Sequence, residues 1–193
     1  MITKTKEDFI YTQLKMLSPC RKLYTITRFG SIPFILYPSN NERFVAFRKA
    51  VVKARPNLAG SSFETAVMIN KAYAEAYKEN KKMVAIVCKE SFDFHIELAR
   101  KKLGEEFYNS MIEELKKRLK DYKMEVYLID EFNPTQIFIN EDTVYASIVH
   151  AGSTFGTIIY SKEASDIYTH VFEDRAERGI PLKGYLKELS KKK

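Results

Sequence analysis

The sequence predicts an α/β fold: one domain with a mixed β-sheet of about six or seven strands, helices on its faces and a closing helix near the C-terminus. Three observations carry that expectation. Lys123–Tyr160 is a succession of short runs rich in β-branched, aliphatic and aromatic residues, among them Val126, Leu128, Phe138, Val144, Ile148, Ile158 and Ile159. Turn residues break it at Phe132-Asn133-Pro134, Asn140-Glu141-Asp142 and Ala151-Gly152-Ser153. Helical periodicity flanks that stretch on both sides, and Met83–Leu128 reads strand, helix, strand, a βαβ unit whose strands are parallel.

The N-terminal segment Thr3–Leu17 spaces Phe9, Ile10, Leu14 and Leu17 as a helix, with Thr5 and Asp8 at capping-box spacing and Ser18-Pro19 as its stop. Lys22–Phe29 alternates as a strand, and Ile32–Tyr37 is a second apolar run in which Pro33 disfavours a central position. Glu42–Arg55 is a basic helix. Phe44, Phe47 and Val51 line one face; Arg43, Lys49 and Lys53 gather on another. Ser61 and Glu64 open a helix through residue 80, with Ala66, Ile69, Tyr73 and Tyr77 on one side. Met83–Cys88 is continuously apolar, as in a strand buried on both faces.

Ser91 then opens a long helix to Tyr122, bent near Gly104, with Phe107, Met111, Leu115 and Leu119 recurring every four residues. Later strands add antiparallel through short connections, and Ala151–Gly156 is a tight link between the last two. Lys162–Arg178 closes the domain with Ala164, Ile167, Tyr168, Val171, Phe172 and Ala176 on one stripe, stopped by Gly179-Ile180-Pro181. No internal repeat is visible, so the chain reads as a single domain over residues 1–193.

The net charge of +7 is unevenly distributed. Residues 1–60 hold 11 Lys/Arg against 3 Asp/Glu, while residues 61–193 hold 21 against 22. A basic first third attracts nucleic acid, acidic proteins or phosphate-bearing ligands, or simply keeps the surface soluble. The strongest phosphate-contacting candidates are Arg43, Lys49, Lys53 and Arg55. Such helices also occur as ordinary packing elements with solvated lysines. The absence of a long apolar window and of a secretion signal leads to the expectation of a cytoplasmic protein without a membrane partner. The lack of Trp and the wealth of Lys, Glu, Ile and Tyr lean toward a thermophile. Cys20 and Cys88 read as two thiols rather than a disulfide or a zinc site.

Chemistry-bearing motifs are few. His95, His150 and His170 sit in no metal-hydrolase pattern, and no glycine-rich dinucleotide or P-loop motif occurs, so neither a metal nor a cofactor is expected. His150 ends a strand beside a Gly-Ser-Thr turn; Ser153 and Thr154 can there present backbone N–H groups to an anion. Asp130 and Glu131 end another strand, where paired acids bind a cation or act as acid and base. Asp130, His150, Ser153 and Thr154 are therefore the ligand-binding candidates, each with a plain structural reading beside it. No catalytic residue is assigned.

The stretches EVYLIDE (Glu125–Glu131), FINEDTVYASIV (Phe138–Val149) and GTIIYSKEASDIYTHVFEDRAERGIPL (Gly156–Leu182) resemble the effector domain of archaeal TrmB-type and methanogenesis-regulator-type transcriptional regulators, itself similar to half of a phospholipase D fold. The resemblance covers Met83–Leu182 and rests on the order of strands, hairpin and closing helix. It implies an archaeal regulatory or ligand-sensing module linked to transcription that dimerises. Residues 22–37 read as strands where such regulators carry a winged helix, and no Trp follows Phe172. The phospholipase D signature H-x-K-x-x-x-x-D is absent at all three histidines. The leading expectation is thus a non-catalytic regulatory module, working as a homodimer with an unknown small-molecule ligand. A nucleic-acid-binding protein using the basic N-terminal third stands second, and an enzyme using Asp130 and His150 third.

Overall fold

The computed structural model describes residues 2–3, 8, 11–12, 15–16, 21–27, 42–54, 82–121, 124–131, 135–150 and 153–191. The expected Ile32–Tyr37 strand and the helix over residues 61–80 lie outside them, as do Cys20 and the proposed cap Thr5.

Eight strands among the described residues form one mixed sheet: β1 (Ile2–Thr3), β2 (Lys22–Thr27), β3 (Lys82–Cys88), β4 (Glu125–Ile129), β5 (Thr135–Ile139), β6 (Thr143–His150), β7 (Ser153–Tyr160) and β8 (Ile180–Pro181). Their order is β1-β7-β6-β5-β2-β3-β4-β8. The six long strands match the expected number; the two-residue edge strands β1 and β8 carry no pattern a sequence reader can see. Thr3, at the start of the segment read as helical, pairs instead with Gly156 of β7. The described residues from Asp8 to Met16 are helical, as expected.

Four helices with defined bounds accompany the sheet: α1 (Glu42–Ala54), α2 (Lys89–Asp121), α3 (Lys162–Glu177) and α4 (Leu182–Leu189). β2, β3 and β4 are mutually parallel, which bears out the βαβ reading. β3 buries six successive residues because it has a strand on each side and packing on both faces. Met83, Ala85 and Val87 join the cluster built on α2 and α4; Val84 and Ile86 join the one capped by Phe172 and Ala176 of α3.

Helix α2 begins at Lys89, two residues before the expected start, and Ser91 is buried inside it. It is broken at Gly104, whose φ of 87° and ψ of 170° fall where only glycine sits without strain. Beyond the break, Phe107, Met111, Leu115 and Leu119 are all buried, and the repeat of four does what its spacing predicts.

β5, β6 and β7 form an antiparallel meander. β5 does not extend it from β4: β2 and β3 lie between, and β5 pairs antiparallel with β2. The tie is local. Glu141, in the β5–β6 turn, accepts the backbone N–H groups of Arg21 (2.6 Å) and Lys22 (3.1 Å) at the start of β2. Asn140 shapes that turn, its Oδ1 accepting from the N–H groups of Asp142 and Thr143. Most of the Ala151–Gly156 stretch, read as a link, belongs to β7.

Ser161 caps α3, its hydroxyl accepting from the Ala164 N–H at 3.1 Å, and the Ser165 hydroxyl donates to the Asn140 carbonyl. The expected apolar stripe of α3 is only half buried. Phe172 and Ala176 are covered, whereas Ile167 (57% exposed) and Val171 (51%) face away. The helix rests on the sheet through the Ser165–Phe172–Ala176 line, and at 100° per residue Ile167 and Val171 fall well off it.

Candidate functional site

The basic helix α1 is placed as its pattern predicts. Phe47, 2% exposed, stacks on Phe107 of α2 with ring centroids 6.3 Å apart and lies 6.1 Å from the His95 ring. That anchors α1 on the outer layer, against another helix. Lys49 and Lys53, one turn apart and exposed, are neighbours on one face, and α1 presents them to solvent. The Arg43 side chain and Arg55 lie outside the described residues.

The strand-end candidates fall at one end of the strands, because β2, β3, β4 and β6 run in the same direction. His150 lies directly opposite Ser153 in the β6–β7 ladder, and Val149 opposite Thr154. These three candidates are thus gathered at one hairpin end. Ser153 and Thr154 are extended strand residues, and Gly152, the third member of the expected anion-binding turn, lies outside the described residues. Asp130 is exposed just past β4, four strand places from β6, or roughly 19 Å at about 4.8 Å per place. The topology therefore does not bring Asp130 to His150 as an acid–base pair. Glu131 is engaged elsewhere, in an ion pair with Arg175 of α3 at 3.2 Å.

A polar cluster that sequence reasoning missed lies at the opposite end of the strands, at the start of β2. The Tyr24 hydroxyl donates to Glu173 Oε1 at 2.6 Å, Lys22 Nζ is 3.5 Å from the same oxygen, and that ammonium stands 4.3 Å from the centre of the Tyr24 ring. Burial, then the Glu173 hydrogen bond, pushes the Tyr24 phenol up. The same hydrogen bond, with Lys22 nearby, holds the Glu173 carboxyl below its ordinary value. The alternation in KLYTIT puts Lys22 and Tyr24 on one face, but nothing local announces that Glu173, about 150 residues on, will meet them.

His95 is buried on α2, its Nδ1–H donating to the Ser91 carbonyl at 2.6 Å, so it serves the helix packing. His170 is exposed, and Cys88 is a buried free thiol. Among the described residues, no group of three His, Cys, Asp or Glu side chains is placed to hold a metal ion, and no helix is long and apolar enough to cross a membrane.

No protein-family model matches the chain, and no curated protein matches it in sequence. Solved structures do share its fold. One is TrmBL2, an archaeal chromatin protein whose structure shows a novel mode of DNA binding, with a TM-score of 0.51 and 9% identity over 93% of this chain and 52% of that one. Another is Nuc from Salmonella typhimurium, a phospholipase D family member, with a TM-score of 0.52 and 10% identity over 94% of this chain and 95% of that one. The chain spans about half the length of TrmBL2. The class defined is thus an α/β fold common to a chromatin protein and a phospholipase D family member; at such identities the likeness concerns the fold.

Proposed function

We propose that the chain is a regulatory module of the TrmB-type effector class, linked to transcription, which contacts nucleic-acid phosphates through α1 and has no phosphodiesterase chemistry of its own. The observation that carries this reading is α1 itself. Phe47 fixes the helix by packing on α2, and Lys49 and Lys53 stand exposed one turn apart, a spacing that suits contact with nucleic-acid phosphates. The likeness to a chromatin protein supports the nucleic-acid part. The missing H-x-K-x-x-x-x-D signature of phospholipase D chemistry supports the non-catalytic part.

The module works as a homodimer in this reading. Ile148, Phe155 and Ile159 are exposed on β6 and β7, and Ile148 faces Phe155 directly across the ladder. Val144, which faces Ile159, belongs to the cluster beneath α3, so by alternation these residues share the α3 face of the sheet. Ile167 and Val171 add exposed apolar surface on α3. Beside them Lys162 pairs with Asp166, and Arg178 with Asp174. Such a mixed, internally neutralised rim meets a second copy of itself without like-charge repulsion.

The test of the nucleic-acid reading is binding to random duplex DNA across a salt series. A steep negative slope of log K against log salt is expected, and Lys49→Glu with Lys53→Glu should reduce its magnitude by about 2, roughly 0.9 per lost phosphate contact. An unchanged slope would remove α1 as the contact surface. No binding at about 50 mM salt would remove the nucleic-acid reading altogether.

A further inference from the structure

The near-neutral balance of residues 61–193 conceals a local excess of positive charge. Residues 116–121, at the end of α2, and residues 182–191, which are α4 and the two positions after it, together hold seven Lys/Arg against two carboxylates, Asp121 and Glu188. Packing brings the two stretches side by side: Lys116 Nζ donates to Ser190 Oγ at 2.8 Å. Lys117 lies midway between the buried Leu115 and Leu119, so at 100° per residue it points straight away from the core. Lys120 is exposed on the next turn. On α4, Lys183 and Lys187 are exposed one turn apart beside the buried Leu182 and Leu186, and Lys191 continues the row.

These lysines differ from the other helix cations in what surrounds them. Six cations on α2 and α3 have a carboxylate one turn away. Among the described residues, Lys117, Lys120, Lys183, Lys187 and Lys191 have none within ion-pair distance. Like charges three or four residues apart on a helix repel, and a polyanion laid across them relieves that repulsion. The same unpaired four-residue spacing occurs at Lys49 and Lys53 of α1.

α1, α2 and α4 cover one face of the sheet, with Phe47, Leu115, Leu182 and Leu186 in one core cluster beneath them. α1 is seated on Phe107 and the second lysine group begins at Lys116, nine residues along the same helix, or about 14 Å at ~1.5 Å per residue. That separation falls well inside a duplex turn of about 34 Å. None of the exposed large apolar side chains among the described residues lies on α1, α2 or α4. A membrane-binding helix needs such side chains to bury in the bilayer, whereas a phosphate backbone needs only the cations.

We propose that the end of α2 and the outer row of α4 form a second nucleic-acid contact surface, so that one duplex lies across the helical layer from α1 to α4. This deepens the nucleic-acid reading and rests on it for the kind of partner. It adds five backbone-contacting lysines, Lys117, Lys120, Lys183, Lys187 and Lys191, which position a nucleic acid without reading its sequence.

The experiment is binding of the full chain to random duplex DNA across a salt series, with backbone NMR at low salt to locate the contact. Lys117→Gln with Lys120→Gln, and separately Lys183→Gln with Lys187→Gln, should each lower the magnitude of the slope of log K against log salt by about 2, at an unchanged circular dichroism spectrum. Amide shifts are expected at residues 117–120 and 183–191 as well as on α1, and none across α3. An unchanged slope in both folded variants, or shifts confined to α1, overturns the second surface and leaves the α1 reading standing. A slope lowered by these pairs but not by the α1 pair keeps this surface and removes α1. Binding to vesicles of anionic phospholipid with none to duplex DNA, or no binding to either, overturns both.

Discussion

At the scale of single residues, Gly104 and Glu173 have the clearest measurable consequences. A Cβ added at Gly104 would meet nothing within 4 Å, so the cost of Gly104→Ala is the backbone alone. At φ 87° that cost is about 1–3 kcal/mol, read as a lower urea midpoint at unchanged slope. An unchanged midpoint would mean that the helix does not need its break. Glu173 has a lowered carboxyl pKa, so its contribution to stability is full above the ordinary value of 4.5 and is lost as pH falls below it through the folded value. Glu173→Gln should therefore destabilise the protein at neutral pH and match the wild type well below pH 4.5, checked by urea unfolding across pH. A difference that persists at low pH would assign the effect to packing instead.

At the scale of elements, α3 is a helix held at two points. Its start is fixed by the Ser161 cap, and Ser161→Ala should cost about 1 kcal/mol in equilibrium unfolding. Its middle is fixed by Phe172, fully buried and edge-on to Tyr24 at 4.9 Å, and Phe172→Ala should cost about 3–5 kcal/mol by leaving a cavity between helix and sheet. A cost below 1 kcal/mol would mean that the helix readily repacks. Element types were legible where the pattern was long. The four-residue repeat from Phe107 to Leu119 and the unbroken apolar run of β3 each announced what they became. The stripe of α3 was legible as amphipathic but not as to width, because periodicity records which residues are apolar and not how much of the helix has something beneath it.

At the scale of the whole molecule, the exposed apolar surface of β6, β7 and α3 sets the assembly prediction. Sedimentation analysis should give a dimer, and Phe155→Lys with Val171→Asp should give a folded monomer, since both side chains are more than half exposed and their loss spares the core. A wild-type monomer at high concentration would refute the homodimer. If the variant still dimerises, another face is the interface.

The sequence by itself determined the class of fold, the parallel β3–β4 pair, the bend at Gly104 and the exposed pair Lys49 and Lys53, because each is written in contiguous residues as periodicity, propensity or a glycine. Only the tertiary structure decided strand order, and with it the fate of the candidate site. Asp130 and His150 both end strands, and no local pattern states that β3, β2 and β5 stand between those strands. The same holds for Glu173 meeting Tyr24 and Tyr185 meeting Asp93, contacts made across 149 and 92 residues. Such pairings arise from how sheet edges and helix faces are satisfied together, which is a property of the assembled chain and of no segment within it.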